Sequence, residues 1–373
     1  MAKLTAPRLS MIFREAGASL IARGERGIVA LILRGTGETA KTYTLRSITD
    51  VPSSEDDTAE NIAYMKATFT GYQHAPLRVL VYETPKLAEG GTASDLYTEA
   101  QKYFATEKFQ YLAAPEAEAD GANADIVSWV KTQRDKNHMV KAVLSNVKAD
   151  TSGVINWTST LYKDGAEVKA AATTPRIAGL LAGTDLTTSA TYAPLNDYDD
   201  CERLESDEID AHVGNGELVA FWDGEKVKLS RAITSLVTTT ATEKESFQKI
   251  KLVEDMDLIK DDILKTIQDS YQGKFPNSYD NKCLLVNAVN AYLDGLVASG
   301  IINSGYSEID IAANRRYLEG KGKQVNVGND TLKDPVDLTD DEAKRAQTGS
   351  EVFLALHIEL LDVMEDFTLD AIV

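Results

Sequence analysis

Residues 35–42 carry the combination of glycine, lysine and threonine that could bind a nucleotide phosphate. They read Gly-Thr-Gly-Glu-Thr-Ala-Lys-Thr and follow the apolar run Ile28 to Leu33, whereas a phosphate loop has the pattern G-x-x-x-x-G-K-[ST]. Ala40 replaces the second glycine, and its Cβ would crowd the backbone amides that close around a phosphate. The following residues, Tyr43 to Ile48, alternate as a strand, so no helix N-terminus is predicted to bind the anion. The segment therefore predicts a hairpin connection between two strands.

The other side chains capable of catalysis or metal binding form no recognised motif. None of the four histidines has a second His or Cys at ligand spacing; they are His74, His138, His212 and His357. An acidic run lies beside His212 and consists of Asp197, Asp199, Asp200, Glu202, Glu205, Asp207, Glu208 and Asp210. The run lacks the glycine and bidentate glutamate of a calcium loop, so we interpret it as a solvated or partner-facing surface. We predict no catalytic, cofactor-binding or metal-binding residues.

Composition excludes several classes of protein. A chain of 373 residues with 43% hydrophobic content is long enough for two or three domains. Its 58 acidic residues outnumber 39 basic ones, and the net charge of −19 argues against direct nucleic-acid binding. Two cysteines are too few for a disulfide scaffold and indicate a reducing compartment. The longest apolar run, 28–33, is far shorter than the ~20 residues of a membrane span, so we predict a soluble protein made in the cytoplasm.

Charge is unevenly distributed between the two ends of the chain. Residues 1–50 contain eight Lys or Arg and four acids, whereas residues 351–373 contain six acids and no Lys or Arg. Both ends also alternate like strands, with Leu9, Met11 and Phe13 at the start and an apolar series from 352 to 360 near the end. A basic strand and an acidic strand would attract each other across two chains. Pairing of the two ends within one subunit is an equally open alternative.

The elements before residue 190 predict a mixed α/β fold. The runs 28–33 and 77–82 have the composition of buried strands. Residues 89–92, Glu-Gly-Gly-Thr, mark a domain junction, after which helices and strands alternate from 94 to 184. This alternation is typical of a small α/β layer domain. Within it, Thr174-Pro175 is predicted to open a helix, since proline is favoured in the first turn.

Hairpins and long helices are predicted for the second half. Ile209 to Val213 and Glu217 to Trp222 form one predicted hairpin around a glycine turn, and Asp223-Gly224 turns into a further strand from Lys226 to Ser230. A long amphipathic helix is predicted from Phe247 to Tyr271. The whole pattern indicates an α+β or α/β multidomain protein.

Several segments together resemble the contractile-tail sheath proteins of bacteriophages and phage-like (R-type) bacteriocins, particularly the compact type from Gram-positive hosts. The resemblance runs from end to end and rests on the order and joint presence of the segments, which are PRLSMIFREAGASLIARGERGIVAL (7–31), TPRIAGLLAGTDL (174–186), SATY (189–192), NGELVAFWDGEKVKLSRAITSL (215–236), KIKLVEDMDLIKDDI (249–263), YQGKFPNSYDNK (271–282) and GSEVFLALHIELLDVMEDFTLDAIV (349–373).

The resemblance implies a core α/β domain with exchanged N- and C-terminal β-strand arms and an inserted outer α/β domain. The implied divisions are an N-terminal arm with the first core strand (1–30), the first part of a β-rich domain (31–92), the inserted outer domain (93–190), a hairpin part that completes the middle domain (191–240), a C-terminal core domain facing the tube (241–360) and a C-terminal arm (361–373).

The same resemblance implies a structural function without enzymatic activity or cofactor. Subunits of this family polymerise as stacked hexameric rings around an inner tube, and contraction drives the tube through a target cell envelope. The implied partners are further copies of the chain, the inner tail-tube protein, and baseplate and tail-terminator proteins at the ends, without direct nucleic-acid contact or membrane insertion. Assembly would occur in the bacterial cytoplasm, and the mature protein would lie in a virion tail or a released phage-like particle.

Two groups of residues are implied as interaction sites. The exchanged arms would contain Arg8, Ser10, Ile12, Arg14, Glu365, Phe367, Leu369 and Ile372. Strand addition suits such arms because main-chain hydrogen bonds attach them strongly and with little dependence on sequence. Lys344 and Arg345 on a predicted helix at 340–347 are candidates for contact with the tube, and the long helix after Glu245 is the other candidate.

A nucleotide-binding enzyme that uses the degenerate loop at 35–42 is the alternative function. It predicts that a nucleotide raises the thermal unfolding midpoint and that Lys41→Ala abolishes this rise. A structural sheath protein predicts no shift in either variant. Thermal unfolding with and without a nucleoside triphosphate and Mg²⁺ separates the two hypotheses.

Overall fold

The apolar run Ile28 to Leu33 forms the middle of a seven-stranded sheet in the computed structural model, which describes residues 21, 24–322, 324–327 and 331–371. The chain divides into two units. The sheet unit contains the described residues of 24–262, 296–303 and 359–371, and the helical unit contains those of 263–295 and 304–358.

The described residues form strands and helices with the following bounds. The strands are β1 Ile28–Arg34, β2 Lys41–Leu45, β3 Arg78–Thr84, β4 Tyr111–Ala113, β5 Lys141–Ser145, β6 Val154–Trp157, β7 Leu161–Lys163, β8 Ala166–Val168, β9 Asp200–Cys201, β10 Glu217–Leu218, β11 Ala220–Trp222, β12 Val227–Leu229, β13 Ile302–Ile309, β14 Val325–Asn326, β15 Leu332–Lys333 and β16 Leu354–Leu360. The α-helices are α1 Ala59–Thr68, α2 Ala93–Phe104, α3 Asn123–Asp135, α4 Ala170–Ala182, α5 Ser206–Gly214, α6 Ile250–Thr266, α7 Tyr279–Ala298, α8 Ile311–Lys321 and α9 Asp340–Arg345.

The seven-stranded sheet has the order β10-β6-β5-β4-β1-β3-β2. Strand β1 pairs in parallel with both β3 and β4, and only β2 runs antiparallel to its neighbour, β3. The expected strands at 28–33 and 77–82 are therefore confirmed as buried strands. The predicted hairpin between β1 and β2 is wrong, because the largely exposed β2 lies at the edge of the sheet, while β1, whose residues 28–33 are all buried, lies between β3 and β4.

Both faces of this sheet are covered by helices, which explains why its central strands are buried along their length instead of alternating between buried and exposed positions. Val29, Leu31 and Leu33 pack in one cluster with side chains of α1 and α4. Ile28, Ala30 and Ile32 pack in the other with side chains of α2 and α3. Strands from before and after residues 89–92 share the sheet, so the predicted junction at these residues lies within one layered unit.

Helix α4 begins earlier than predicted. It starts at Ala170, and Pro175 lies inside it instead of in its first turn. A proline in a helix leaves the carbonyl four residues earlier without its usual N–H donor. Here the hydroxyl of Thr174 donates to the carbonyl oxygen of Ala171 at 2.8 Å and replaces the missing hydrogen bond. The helix can therefore continue through the proline.

The predicted strand at 209–213 is wrong, since these residues belong to helix α5. Glu205 and Glu208 form a capping box at the start of this helix, and Ile209 and Val213 are four residues apart on one side of it. The predicted hairpin that turns at Asp223-Gly224 is confirmed by the pairing of β11 with β12.

The helical unit contains the end of α6, a π-helical turn at Ile267–Tyr271, most of α7, and helices α8 and α9. Helices α8 and α9 enclose a small apolar cluster of Leu318, Leu338, Ala343 and Ala346. In the part of the chain that the structure describes, no helix combines the length and the apolar character needed to cross a membrane.

Close packing between α1 and α4 makes Gly179 sensitive to substitution. A Cβ at this position would overlap the carbonyl oxygen of Thr68, which is backbone and cannot turn aside. We expect Gly179→Ala to lower the free energy of unfolding by about 2–3 kcal/mol, measured by urea denaturation. The matched control is Gly214→Ala in α5, where no atom lies within 4 Å of the new Cβ and the protein should be unchanged or slightly more stable. Equal stability of the two variants would contradict this packing.

Candidate functional site

The residues that resemble a phosphate loop do not form one. The loop after β1 leads into strand β2, and Lys41 is the first residue of that strand. The Lys41 ammonium donates to the carbonyl oxygen of Asp56 at 3.0 Å. Because no helix begins after the loop, the arrangement lacks the aligned backbone amides that bind a phosphate.

Five members of the acidic run near His212 are exposed, as expected of a solvated surface: Glu202, Glu205, Asp207, Glu208 and Asp210. Among the described residues, no group of three or more His, Cys, Asp and Glu side chains is arranged to hold a metal ion. The Arg176 side chain, which is 3% exposed, donates to both carboxylate oxygens of Asp197 at 2.9–3.1 Å. His212 Nδ1 lies 2.6 Å from a carboxylate oxygen of Glu217. These contacts stabilise the chain around β9 and α5.

The C-terminal segment after β16 is attached to the sheet unit by a group of ionic contacts that we call the anchor cluster. Its members are Thr191, Arg231, Lys249, Lys251, Asp362, Glu365 and Asp366. Strand β16 confirms the predicted apolar strand near the end of the chain. Residues 361–371 have no regular secondary structure in the single chain. The segment is therefore fixed by side chains instead of by a sheet.

Glu365 is the centre of the anchor cluster. Its carboxylate accepts a hydrogen bond from the Thr191 hydroxyl at 2.6 Å and one from the Lys249 ammonium at 2.9 Å. Lys249 also pairs with Asp362 at 2.5 Å, and Arg231 pairs with Asp366 at 2.5 Å. Partial burial favours the neutral amine of Lys249, but the hydrogen bonds to the two carboxylates outweigh it and raise its pKa. The Glu365 side chain is only 6% exposed, so its charge is compensated by partners on the same chain.

Large apolar side chains follow the anchor cluster and are exposed to solvent. Phe367 is 70% exposed and Leu369 is 91% exposed, although both are large apolar side chains. They alternate with the polar Thr368 and Asp370, as residues of a half-buried strand do. The described part of the segment thus consists of an anchored root, 361–366, and an exposed tip, 367–371.

The residues predicted for the arms are divided by this boundary. Glu365 lies in the root, and Phe367 and Leu369 lie in the tip. Arg8, Ser10, Ile12, Arg14 and Ile372 lie outside the described residues. Sequence reasoning missed Arg231 and Lys249, which lie more than 100 residues before their acidic partners. It also missed Lys251, whose ammonium donates to the backbone carbonyl of Leu361. The strongly acidic end of the chain indicated a basic partner, but it could not distinguish these residues from the basic N-terminus.

Helix α6, one of the two candidates for tube contact, is seated on the sheet unit by buried ion pairs. Arg134 donates two hydrogen bonds of 2.9 Å to Asp257, and the fully buried Lys141 lies 2.7 Å from both Asp257 and Glu254. Burial alone would raise the pKa of Asp257, but Lys141 and Arg134 lower it to about 2. Burial lowers the pKa of Lys141 to about 8. This part of α6 is therefore committed to contacts inside its own unit.

Lys344 and Arg345, the other candidates for tube contact, lie in the last turn of α9. Arg345 is exposed, pairs with Asp341 at 3.0 Å and stacks 4.4 Å from the centre of the Tyr279 ring. Lys344 is half-buried. The arrangement leaves positive charge at the surface, where it is able to contact another protein.

Strands β13 and β16 form a two-stranded sheet of their own. The rings of Tyr306 and His357 stack across it with centroids 4.5 Å apart. Among the described residues, each strand has a hydrogen-bonded neighbour on one side only. Two strands alone are marginally stable and leave two rows of backbone groups able to pair with an added strand.

The fold and these surfaces define a structural protein with a layered α/β unit, a helical unit, open strand edges and an exposed C-terminal tip. Two family models match most of the chain: phage tail sheath protein central domain at residues 90–235 and phage tail sheath C-terminal domain at 242–373. The chain belongs to the phage tail sheath protein family.

Individual relatives agree with this assignment. The tail sheath protein of Clostridium phage phiCD119 is 36% identical over 368 residues, which is 97% of this chain and 97% of that protein. The sheath tail protein of Desulfitobacterium hafniense has a similar crystal structure, with a TM-score of 0.66, 17% identity, and coverage of 95% of this chain and 100% of that chain. The contracted sheath of the PVC extracellular contractile injection system has a TM-score of 0.63 at 12% identity, with 99% of both chains covered. The chain is thus a structural component of a contractile tail.

Removal of Glu365 should release the root of the C-terminal segment. We expect Glu365→Ala to speed amide hydrogen exchange of residues 361–366 by about tenfold, because it removes two charge-assisted or short hydrogen bonds. Hydrogen exchange with mass spectrometry measures this change. The control is Asp370→Ala, which removes an acid of the same segment beyond the anchor cluster and should leave the exchange unchanged. Equal exchange in all three proteins would contradict the anchoring role of Glu365.

Proposed function

We propose that this chain is a sheath subunit that polymerises as stacked hexameric rings around an inner tube by exchanging terminal strands. The observation that carries the proposal is the C-terminal segment, whose root is fixed on its own subunit while its apolar tip is exposed. Burial of a large apolar side chain such as Phe367 or Leu369 against a partner removes apolar surface from water and therefore favours binding. The tip is therefore suited to bind another copy of the chain.

The open edges of the β13–β16 sheet support strand addition as the mode of attachment. A strand that joins an edge satisfies backbone donors and acceptors which otherwise bind only water. The contact is heterologous, since the tip of one subunit binds a different surface of the next, and such contacts propagate instead of closing as a dimer. We assign residues 8–15 to a second arm that adds in the same way.

Exchanged arms would also explain how a sheath can contract without falling apart. Rigid units can rotate between an extended and a contracted packing while the added strands keep neighbouring subunits joined. Contraction would drive the inner tube through the target cell envelope, powered by greater burial between subunits in the contracted state. This mechanism requires no nucleotide, cofactor or catalytic residue.

The partners follow from this role. The inner tail-tube protein would contact the C-terminal core, where Lys344 and Arg345 supply exposed positive charge near the end of α9. Baseplate and tail-terminator proteins would cap the two ends of the polymer. We propose that assembly takes place in the bacterial cytoplasm and that the mature sheath surrounds the tube of a virion or phage-like particle.

Truncation of the tip tests strand exchange. We expect the full-length chain at high concentration to form hollow, ribbed tubes in negative-stain electron microscopy. Deletion of residues 367–373 should leave a folded protein with an unchanged circular dichroism spectrum that forms no long tubes. The matched control is Met364→Ala, which removes an exposed apolar side chain of the anchored root and should leave tube formation intact. A truncated protein that still forms normal tubes would refute exchange of the C-terminal strand.

A further inference from the structure

Two carboxyl groups, which we call the acid pair, meet at the end of strand β3 inside the sheet unit. Glu83 belongs to β3 and is 3% exposed, and Asp57 lies two residues before helix α1. The two side chains are in hydrogen-bonding contact. Among the described residues, Glu83 Oε1 and Asp57 Oδ2 are both buried, and neither accepts a hydrogen bond from any other group. Because two ionised carboxylates can only accept hydrogen bonds, this contact requires a proton between them.

The hydrogen bonds around Asp57 indicate which member of the acid pair carries the proton. Asp57 Oδ1 accepts from the backbone N–H of Thr58 at 2.6 Å and from the side-chain amide of Asn61 at 3.0 Å. Donors of this kind stabilise the ionised form of a carboxyl group. Burial, followed by the hydrogen bond to Asp57 and the charge of Asp57, raises the pKa of Glu83 to about 8. Glu83 is therefore the protonated member at neutral pH, and its hydroxyl donates to Asp57.

We propose that the acid pair is a pH-sensitive switch, which holds the start of helix α1 against the end of β3 and releases it when the shared proton is lost. A second negative charge at Glu83 would repel that of Asp57 at short range in a surrounding of low dielectric constant. The same segment is joined to β1 and β2 by two neutral acceptors, since Asn61 donates to the carbonyl of Arg34 and Lys41 to that of Asp56. The switch lies within one unit of one chain and does not depend on the proposed assembly.

The charged and titratable neighbours of the acid pair do not replace the proton. Lys41 on β2 favours ionisation of Glu83, but its ammonium is bonded to the carbonyl of Asp56. Burial, and then the charge of Glu83, raises the pKa of Tyr43 on β2 to about 12, so this phenol stays neutral over the range in which Glu83 titrates. The other charged side chains on the adjacent elements have partners of their own: Arg34 with Asp120, Asp56 with Ser53, and Glu60 with Tyr64.

The direction of the pH dependence follows from the pKa of Glu83 in the closed and open forms. The pKa is about 8 in the closed form and returns to its ordinary value of about 4.5 when the segment opens to water. The closed form binds the proton more tightly, so its stability relative to the open form falls as pH rises from about 4.5 to about 8 and is constant above that. We expect amide hydrogen exchange of residues 58–62, corrected for the intrinsic rate, to rise by up to about tenfold per pH unit in this range.

Glu83→Gln tests the switch, because an amide keeps the size of the side chain and donates an N–H to Asp57 at every pH. Hydrogen exchange with mass spectrometry on the full-length chain should show a slow corrected rate for residues 58–62 that does not change with pH. The matched control is Glu116→Gln, since burial, and then the charge of Glu60, raises the pKa of Glu116 to about 7 outside the acid pair. This control should keep the rise and its end near pH 8. The same pH profile in Glu83→Gln and the unmodified chain would overturn the proposal.

Infrared spectroscopy detects the shared proton itself, because the C=O stretch of a protonated carboxyl is separate from that of a carboxylate. In the Glu116→Gln background, we expect the band of one protonated carboxyl to disappear between about pH 7 and about pH 9. Addition of Asp57→Asn should move this titration to lower pH by about 1 pH unit or more, since the neighbouring charge is gone. An unchanged midpoint would assign the raised pKa to burial alone and overturn the sharing. Millimolar Ca²⁺ that raises the thermal unfolding midpoint at pH 7, but not in Glu83→Gln, would show that the two oxygens bind a cation in place of the proton and would also overturn it.

Discussion

The buried ion pairs beneath helix α6 are the constraint on which the candidate interface depends. Asp257 forms ion pairs with Arg134 and Lys141 in a region from which water is excluded. These ion pairs favour one orientation of helix α6 about its own axis within the sheet unit. Loss of one partner would leave a buried charge uncompensated, which costs several kcal/mol. This orientation places Lys249 and Lys251, at the start of the helix, against the root of the C-terminal segment. The position of the exposed tip is therefore fixed by contacts made far from it in sequence.

Many polar side chains of this protein hold its own segments in place. The groups that remain available to bind another protein are the backbone groups at open strand edges and the exposed apolar side chains. Asp197 of the acidic run, the four histidines and the lysine of the glycine-rich loop have intrachain partners, such as Arg176 for Asp197. By contrast, among the described residues, the β13–β16 edges present backbone groups with no neighbouring strand, and Phe367 and Leu369 of the tip present apolar side chains to water. This division is what a self-assembling structural protein requires, and it agrees with membership of the tail sheath family.

The local pattern of apolar and polar residues predicted most helices and strands correctly. It failed where side-chain hydrogen bonds to the backbone decided the conformation. The apolar runs of β1 and β3 and the period of α6 were sufficient to assign them. Residues 209–213 were assigned to a strand because they precede the glycine turn of a predicted hairpin, yet a capping box starts a helix there. Pro175 was placed at a helix start, but the Thr174 hydroxyl lets the helix pass through it. In both cases a single side-chain hydrogen bond outweighed the average preference of the residues.

The sequence by itself determined that the chain is acidic, that its first half is a layered α/β structure, and that its C-terminal end alternates like a strand. Hydrophobic periodicity carries this information because it depends only on near neighbours along the chain. Tertiary structure alone decided that β1 lies between β3 and β4 and that Glu365 pairs with Lys249 across 116 residues. These features depend on which distant segments pack together, and packing is set by the whole chain at once.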